Sequence, residues 1–325
     1  MRTNQHIVIG GGSWGAAIAD QLQRAGQCAS LLVRDAKTAE NLAQRHVRQL
    51  PDISLAAPLT ATTAPEQLSK ADYIYIVVPL AAHAQTITLI KQFARAGTPL
   101  ILASKGLMPD AARGAVFLPE WLDDIVPEFP SIMLSGPTFA DEVISGKPAA
   151  LVAASRIEAQ ATDIASIFQG SNLRVYSSTD PLGVALGGAV KNIIAIAAGI
   201  ATGLSLGDNA RAALITRGLA EMQRLAQAIR ADVHTLSGLS GMGDLMLSCA
   251  GPHSRNMAFG LALGSGEVPS SNLSEGRNAA ALVTARAAFE NIDMPLCFAI
   301  DQILNHGQGL QDTLTALLSR HAGTE

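Results

Sequence analysis

The apolar stretch from Leu182 to Leu204 constrains the fold of this chain more than any other feature. Its only long polar side chains are Lys191 and Asn192. Either Thr179 or Asp180, which precede it, can cap a helix, with Pro181 at the first position, where a missing N–H costs nothing. A helix that is apolar on every side lies in a large core or in a membrane, and this stretch is long enough to span a bilayer. A lysine at mid-membrane would cost about 2.5–3.5 kcal/mol, so we expect a buried central helix and no transmembrane segment.

A lysine enclosed in such a helix needs an explanation. Burial disfavours the charged form of an amine, so a lysine in a closed site becomes a candidate proton donor or a partner for an anion. Lys191 is therefore a candidate catalytic residue. The alternative is a lysine near a helix end, whose stem lies along apolar surface while its ammonium group reaches water.

Composition narrows the class of protein. A length of 325 residues suggests two domains, each large enough to bury a core. Hydrophobic residues make up 48% and charged residues 15%, which excludes a disordered chain, and a net charge of −4 gives no indication of a nucleic-acid surface. The 3 cysteines are far apart and match neither a metal site nor a disulfide framework. We therefore expect no bound metal. The N-terminus shows no signal-peptide pattern, so we expect a cytoplasmic protein.

A glycine motif follows the first predicted strand, His6 to Ile9. Gly10, Gly12 and Gly15 satisfy G-x-G-x-x-G, and a predicted helix runs from Ala16 to Ala25. Such glycines permit a tight turn, close approach of the backbone to a pyrophosphate and close contact between helix and sheet, while the helix N-terminus attracts the phosphates. A merely glycine-rich turn is the alternative, but the position between a strand and a helix favours a dinucleotide site.

The end of the second predicted strand, Cys28 to Val33, bears on the choice of cofactor. An acidic residue about 20 positions after the glycine motif usually binds the ribose hydroxyls of NAD, whereas an arginine there suits the extra phosphate of NADP. Arg34 comes first at this strand end, so we expect NADP, while Asp35 keeps NAD as the alternative.

Strand and helix patterns alternate through the first half of the chain and then give way to helices. We therefore predict an α/β Rossmann-type domain with a doubly wound, mostly parallel sheet at 1–180 and an all-α domain at 181–325. The further predicted strands are 60–63, 73–78, 100–103, 131–134, 149–153 and 173–176, with helices at 81–95 and 157–168.

Polar residues follow several of these strand ends, where ligands bind in such sheets. Lys105 and Gly136 each come directly after a predicted strand, as the glycine motif does. Lys105 is either a site residue or an ordinary surface lysine. Thr138 is either a site residue or a helix cap whose capping box Asp141 would complete.

In the second half, an amphipathic helix is predicted over Arg211 to Arg230, with arginines that face solvent or contact other helices. Asp244 follows a glycine-rich break and is either a helix N-cap or an acid held near Lys191. The stretch from Gly251 to Asn256 contains Ser-Arg-Asn after a Gly-Pro break. It is typical of a helix start that could bind a phosphate or carboxylate, or of a plain capped helix with a surface arginine.

Seven short pieces, in order, resemble one family, the bacterial type of NAD(P)-dependent glycerol-3-phosphate dehydrogenase. The resemblance covers roughly residues 6 to 320. The pieces are Gly-Gly-Gly-Ser-Trp-Gly at 10–15, Ser-Lys-Gly at 104–106, Ser-Gly-Pro-Thr-Phe-Ala at 135–140, Gly-Gly-Ala-Val-Lys-Asn at 187–192, Asn-Ala-Arg-Ala-Ala-Leu-Ile-Thr-Arg-Gly-Leu-Ala-Glu-Met at 209–222, Gly-Met-Gly-Asp-Leu at 241–245 and Ser-Arg-Asn at 254–256. Departures from the family pattern are His46, Gln49 and Asp141, and Ser248 replaces a threonine.

The resemblance implies a reversible reduction of dihydroxyacetone phosphate to sn-glycerol 3-phosphate for glycerophospholipid synthesis, with NADP or NAD as cofactor and a homodimer as a candidate assembly. It implies that Lys191 transfers the proton, with Lys105 and Asp244 as further catalytic residues. The residues implied to contact glycerol phosphate are Lys105, Gly136, Thr138, Lys191, Asn192, Asp244, Ser254, Arg255 and Asn256. Those implied to contact the dinucleotide are Gly10, Gly12, Ser13, Trp14, Gly15, Arg34, Lys105, Ala140, Arg255, Leu273 and Glu275.

Two other functions fit the same two-domain pattern. One is a related NADP-dependent dehydrogenase acting on a carboxylate such as ketopantoate. The other is a non-catalytic NADP-binding regulator, which the joint presence of Lys105, Lys191 and Asp244 disfavours.

Overall fold

The computed structural model describes residues 4–269 and 274–318. These residues form two units, one of Met1–Lys105 with Leu118–Val184 and one of Gly106–Phe117 with Ala185–Glu325. The second unit thus includes a short insertion from the first half of the chain. The strands are β1 (Gln5–Ile9), β2 (Cys28–Leu32), β3 (Ala61–Thr62), β4 (Tyr73–Ile76), β5 (Leu100–Leu102), β6 (Leu107–Asp110), β7 (Gly114–Phe117), β8 (Ser131–Ser135), β9 (Ala149–Ala154) and β10 (Leu173–Ser178).

A sheet of 8 strands, in the order β10-β9-β8-β5-β4-β1-β2-β3, is the centre of the first unit. Strands β1 to β5 and β8 pair in parallel, as predicted. β9 runs antiparallel to β8, with Val152 opposite Ser135, and β10 runs parallel to β9. The sheet is therefore mostly parallel, and its last two strands are reversed.

The central strands are buried on both faces because helices cover the sheet. In β1 the consecutive residues Ile7, Val8 and Ile9 are at most 6% exposed, which explains why this strand is apolar throughout instead of alternating. The helices of this unit are α1 (Ser13–Arg24), α2 (Ala36–Ala43), α3 (His83–Phe93), α4 (Leu118–Ile125), α5 (Ala140–Ile144) and α6 (Glu158–Ile167). The positions of α2 and α4 were not predicted from the sequence, and a helix at the place of α5 was predicted only through the alternative role of Thr138 as a cap.

One polar side chain of β1 lies inside this core. His6 is 1% exposed, its ring stacks on Tyr73 with centroids 4.9 Å apart, and its Nδ1 lies 3.3 Å from the Tyr75 hydroxyl. Burial lowers the pKa of His6 to about 4, although Gln27, Asp72 and Asp163 oppose the shift. The unfolded chain therefore binds a proton more readily than the folded protein between pH 6.5 and pH 4.

We expect this histidine to make the fold sensitive to mild acid. A folded pKa below the unfolded value costs nothing above pH 6.5, and the cost grows as the pH falls towards 4. From pH 7 to pH 4.5, the wild type should lose about 2 kcal/mol more of unfolding free energy than His6→Phe, which keeps the stacking on Tyr73 without a titrating group. Urea titrations of both proteins at the two pH values measure this difference. Parallel losses in the two proteins would contradict the prediction.

The second unit is built from helices around the long apolar helix. They are α7 (Pro181–Gly203), α8 (Asp208–Ala228), α9 (Asp244–Cys249), α10 (Arg255–Gly264), α11 (Ser274–Phe289), α12 (Pro295–His306) and α13 (Leu310–Leu318). By length and composition α7 could cross a membrane, but its most apolar window is 100% buried in protein, as expected of a core helix. Asp180 accepts a 2.9 Å hydrogen bond from the Gly183 N–H and so caps α7 as predicted.

The packing of α7 depends on glycines. A Cβ on Gly199 would lie 2.2 Å from the Met257 carbonyl oxygen, and one on Gly260 would lie 2.1 Å from the Ile196 carbonyl oxygen. The backbones of α7 and α10 are therefore in direct contact, which side chains larger than hydrogen would prevent. Gly203 and Gly264 extend this contact by one more turn.

Helix α8 confirms the predicted amphipathic pattern, since Leu214, Met222 and Leu225 are fully buried. Glu221 on the same helix is also buried, and its carboxylate accepts the N–H groups of Leu296 and Cys297 in the first turn of α12. Burial nevertheless raises the pKa of Glu221. The sequence did not indicate this link between α8 and α12.

Strands β6 and β7 form an antiparallel hairpin that packs on α11. This hairpin was not predicted, because Pro109 and Asp110 weaken the strand pattern of β6. Among the described residues of the second unit, the hairpin contains the only paired strands, in agreement with the helical pattern predicted after residue 180.

Candidate active site

The glycine loop between β1 and α1 has the form of a dinucleotide cradle. Gly10 has φ +119°, and a Cβ there would lie 2.3 Å from the Val77 carbonyl oxygen. A Cβ on Gly15 would lie 2.0 Å from the Gly10 carbonyl oxygen. Gly12, in contrast, is the N-cap of α1, and a Cβ built there would meet no atom within 4 Å. The open space at Gly12 and the free N–H groups of the first turn fit a pyrophosphate.

Residues around the loop support this cradle. Ser13 begins α1, and Trp14 and Ala140 pack against the core of the first unit. Arg34 is exposed after β2. Asp35 is the N-cap of α2, where its carboxylate accepts the Thr38 N–H at 2.8 Å and the Thr38 hydroxyl at 2.9 Å.

The cap on α2 bears on cofactor choice. The two hydrogen bonds from Thr38 lower the pKa of Asp35, and Arg48 and Arg34 add to the shift. Both carboxylate oxygens are thus engaged within the protein. Asp35 therefore already has hydrogen-bond partners at the position where NAD-binding domains place an acidic residue.

Three predicted site residues meet at the carbonyl of Gly136. The Lys105 ammonium donates to this oxygen at 3.3 Å and the Thr138 hydroxyl at 3.4 Å. Gly136 has φ +154°, and a Cβ there would lie 2.9 Å from the Ala150 carbonyl oxygen. Thr138 does not cap α5, because the N-cap position belongs to Phe139. The structure therefore brings Lys105, Gly136 and Thr138 together at the end of two strands.

A second cluster lies inside the helical unit, around Lys191. Its ammonium forms a salt bridge with the Asp244 carboxylate, and the two residues are 7% and 1% exposed. Asp244 is the first residue of α9, so the alternative role as N-cap is wrong, and Gly243 has that position. Removing one partner of a buried ion pair costs about 3–5 kcal/mol, because the other charge is left without compensation.

A short π-helical turn, Leu239–Gly243, holds Asp244 in place. Such turns often occur at functional sites. A Cβ on Gly187 would lie 2.4 Å from the Ser240 carbonyl oxygen, so α7 and this turn touch through their backbones. Gly187 precedes Lys191 by one helical turn, which explains how residues far apart in sequence form the ion pair.

The start of α10 lies beside the same segment of α7. Ser254 is its N-cap and accepts the Met257 N–H at 3.4 Å, and Arg255 is the first helical residue. The Asn256 side-chain Nδ2 donates to the side-chain Oδ1 of Asn192 at 2.9 Å. Among the described residues, the buried Asn256 Oδ1 has no hydrogen-bond partner. A bound ligand with a hydroxyl group could supply one.

Other chemistries find little support among the described residues. No group of three or more His, Cys, Asp or Glu side chains there could hold a metal ion. Cys249, in α9, is buried, which raises the pKa of its thiol to about 12. The thiol therefore stays protonated and is a poor nucleophile.

Family models match almost the whole chain. The N-terminal model of NAD-dependent glycerol-3-phosphate dehydrogenase matches residues 6–161, and the C-terminal model of the same enzyme matches residues 180–315. The chain belongs to the NAD-dependent glycerol-3-phosphate dehydrogenase family. It is accordingly an NAD(P)-dependent oxidoreductase with the Rossmann-type fold and helical second domain that the resemblance implied.

Individual relatives of this family agree. The glycerol-3-phosphate dehydrogenase [NAD(P)+] of Mesorhizobium japonicum is 42% identical over 321 residues, covering 98% of this chain and 93% of the relative. The solved glycerol-3-phosphate dehydrogenase of Coxiella burnetii has a TM-score of 0.90 at 37% identity and covers 98% and 99% of the two chains. A ketopantoate reductase from Ralstonia eutropha, at 15% identity and TM-score 0.63, shares the fold.

Two predicted dinucleotide contacts fall outside the region that can be described. Leu273 lies outside the described residues, as does the side chain of Glu275. The remaining predicted residues divide between the units: the glycine loop, Arg34, Lys105, Gly136, Thr138 and Ala140 in the first, and Lys191, Asn192, Asp244, Ser254, Arg255 and Asn256 in the second.

Proposed function

We propose that the protein catalyses the reversible NAD(P)H-dependent reduction of dihydroxyacetone phosphate to sn-glycerol 3-phosphate, which supplies glycerophospholipid synthesis. The buried ion pair of Lys191 and Asp244 carries this proposal. An ammonium group held in a dry site by one carboxylate is suited to give a proton to an oxyanion.

The glycine loop of Gly10, Gly12 and Gly15 would hold the NAD(P) cofactor, which when bound would supply hydride-transfer chemistry at C2 of the substrate. Lys191 donates its proton to the C2 oxygen as negative charge develops there, and Asp244 keeps the ammonium charged and oriented. In the reverse direction the neutral amine accepts that proton. Lys105 polarises the ketone, with the Gly136 carbonyl as its anchor.

The phosphate of the substrate meets the start of α10. Arg255 supplies a forked guanidinium, and the first N–H groups of the helix supply further donors. Asn192 and Asn256 orient each other through the hydrogen bond between their side-chain amides, and they complete the substrate contacts. Binding energy from this remote phosphate fixes the ketone for reaction.

The direct test follows NADPH oxidation with dihydroxyacetone phosphate, with ketopantoate as the competing substrate. Turnover confined to dihydroxyacetone phosphate supports the proposal. Turnover confined to ketopantoate would assign the protein to the dehydrogenases that reduce the ketone of a keto acid. Tight NADPH binding without turnover of either substrate would favour the non-catalytic regulator.

We also propose NADP as the preferred cofactor, because Asp35 is engaged as a cap and Arg34 is exposed. Arg34→Ala should lower kcat/KM for NADPH by about tenfold or more, since hydrogen bonds to charged groups contribute about 1.5–3 kcal/mol. The values for NADH should stay the same. Lys37→Ala, which removes an exposed cation from α2, serves as the matched control. An unchanged ratio of NADPH to NADH efficiency in Arg34→Ala would remove the basis for this preference.

Cytoplasmic location and a homodimer complete the proposal. The three cysteines are unpaired, as is usual in a reducing compartment. Light scattering on the purified protein would measure the number of subunits.

A further inference from the structure

We propose that Arg286 is a positioning residue for Lys105, acting through the β6–β7 hairpin. The inference rests on the proposed function, in which Lys105 polarises the ketone. Arg286 belongs to α11 and is more than 150 residues from Lys105 in the chain. Nothing in its sequence context indicates a part in the reaction.

Arg286 joins α11 to the hairpin. It is 3% exposed, and its Nη1 donates to the Ala115 carbonyl oxygen of β7 at 3.0 Å. Its guanidinium carbon lies 5.8 Å from the centre of the Phe117 ring. Nε donates to Glu290 at 2.8 Å, which balances the buried charge.

The β6–β7 hairpin and α11 also touch through their backbones. Gly114 has φ +72°, and a Cβ there would lie 2.9 Å from the Ala285 carbonyl oxygen. The backbone of β7 thus touches α11 one residue before Arg286. At the turn, Asp110 accepts the N–H groups of Ala112 and Arg113, which stiffens the hairpin.

A buried arginine contributes little net stability to a fold. Burying a guanidinium group costs several kcal/mol, and an apolar side chain of similar size often stabilises a fold equally well. What a forked, hydrogen-bonded cation adds is a defined geometry.

The hairpin is continuous with Lys105. Lys105 is the last residue of the first unit, and Gly106, with φ +143°, begins the segment that belongs to the second. On the other side, the Ser104 hydroxyl donates to the Val78 carbonyl oxygen at 2.8 Å. The chain is thus held directly before Lys105, at Ser104, and again at Ala115 of the hairpin, by Arg286.

Loosening the second of these anchors should displace the Lys105 ammonium. Arg286→Lys keeps the charge but loses the fork, and we expect kcat with dihydroxyacetone phosphate to fall by between about 10-fold and 100-fold, because small displacements of catalytic groups have effects of this size. NADPH affinity should change little. Glu290→Gln, which weakens the charge partner, should give a smaller loss in the same direction. Arg277→Lys is the matched control, because Arg277 lies on the same helix and bonds Asn305 instead of the hairpin.

A double-mutant cycle separates positioning from a general structural role. If Arg286 acts through Lys105, then Arg286→Lys should lower kcat by no more than about twofold in a Lys105→Met background. Full and independent losses from the two changes would overturn the proposal. So would a loss in Arg277→Lys equal to that in Arg286→Lys.

Amide hydrogen exchange provides a readout that does not depend on activity. In Arg286→Lys, exchange should become faster in peptides that cover Ser104 to Leu107, and not only in β6 and β7. Unchanged exchange at Ser104 to Gly106 would overturn the proposal. If the wild type fails to reduce dihydroxyacetone phosphate, the proposed function fails, and the exchange experiment still decides whether Arg286 holds this segment.

Discussion

Lys191→Met is expected to lower kcat for reduction of dihydroxyacetone phosphate by about 100-fold or more, because it removes the proton donor while keeping the length of the side chain. Steady-state rates with NADPH measure the effect, and fluorescence titration should show that NADPH still binds. Near-normal turnover would exclude Lys191 as the acid.

The same substitution leaves Asp244 buried without its partner, so a loss of folding must be separated from a loss of chemistry. Lys191→Met alone should lower the unfolding free energy by about 3–5 kcal/mol. Adding Asp244→Asn removes the isolated charge, and much of the stability should return, since neutral replacements of buried ion pairs are often well tolerated. The double variant should remain about as inactive as Lys191→Met. Recovery of activity together with stability would mean that the pair is structural.

The residues of this ion pair show how far sequence reasoning extends. Lys191 was conspicuous as a lone cation in an apolar helix, and its burial is confirmed. For Asp244 the sequence allowed two roles, because a carboxylate at the start of a helix is favourable whether or not it meets a lysine. Only the backbone contact between Gly187 and the π-helical turn decides between them, and such tertiary contacts leave no periodic signal in a sequence.

The sheet shows the same limit. Apolar runs bounded by turns predicted all 8 strands of the sheet. Such runs contain no information on strand direction, so the reversal of β9 and β10 could not be predicted. Short elements were missed for a related reason. Helices such as α4, with 8 residues, are too short to show a clear helical period, and tertiary packing stabilises them instead.

Arg286 illustrates a residue that no motif would identify. It lies on α11, a helix rich in alanine, where a surface arginine is the usual expectation. The role proposed for Arg286 depends on its contact with the β6–β7 hairpin, and the sequence of that hairpin shows only a weak strand pattern. In this chain the residues proposed to touch substrate were predictable from motifs, whereas those that hold them in place were visible only in three dimensions.

Gly260→Ala is expected to cause a large loss of stability for a substitution that adds a single methyl group. The new Cβ would lie 2.1 Å from the Ile196 carbonyl oxygen and 3.0 Å from the Ile200 nitrogen, both backbone atoms of the buried helix α7. Neither can move without shifting that helix, so we expect a loss of about 3 kcal/mol or more in unfolding free energy, at or above the usual range for overpacking. This loss exceeds the gain of about 1 kcal/mol that alanine gives over glycine within a helix.

The glycine contact also connects stability to the site, because α10 begins with Ser254 and Arg255. Any Gly260→Ala protein that still folds should bind dihydroxyacetone phosphate more weakly, with KM raised more than kcat is lowered, since the phosphate contacts move with α10. Urea unfolding and steady-state kinetics measure the two effects. Gly251→Ala is the matched control, because a Cβ there meets nothing within 4 Å. Equal stability of the two variants would contradict the prediction, because it would show that α7 and α10 can move apart without cost. The contact between their glycines would then have no part in holding the start of α10 beside Lys191.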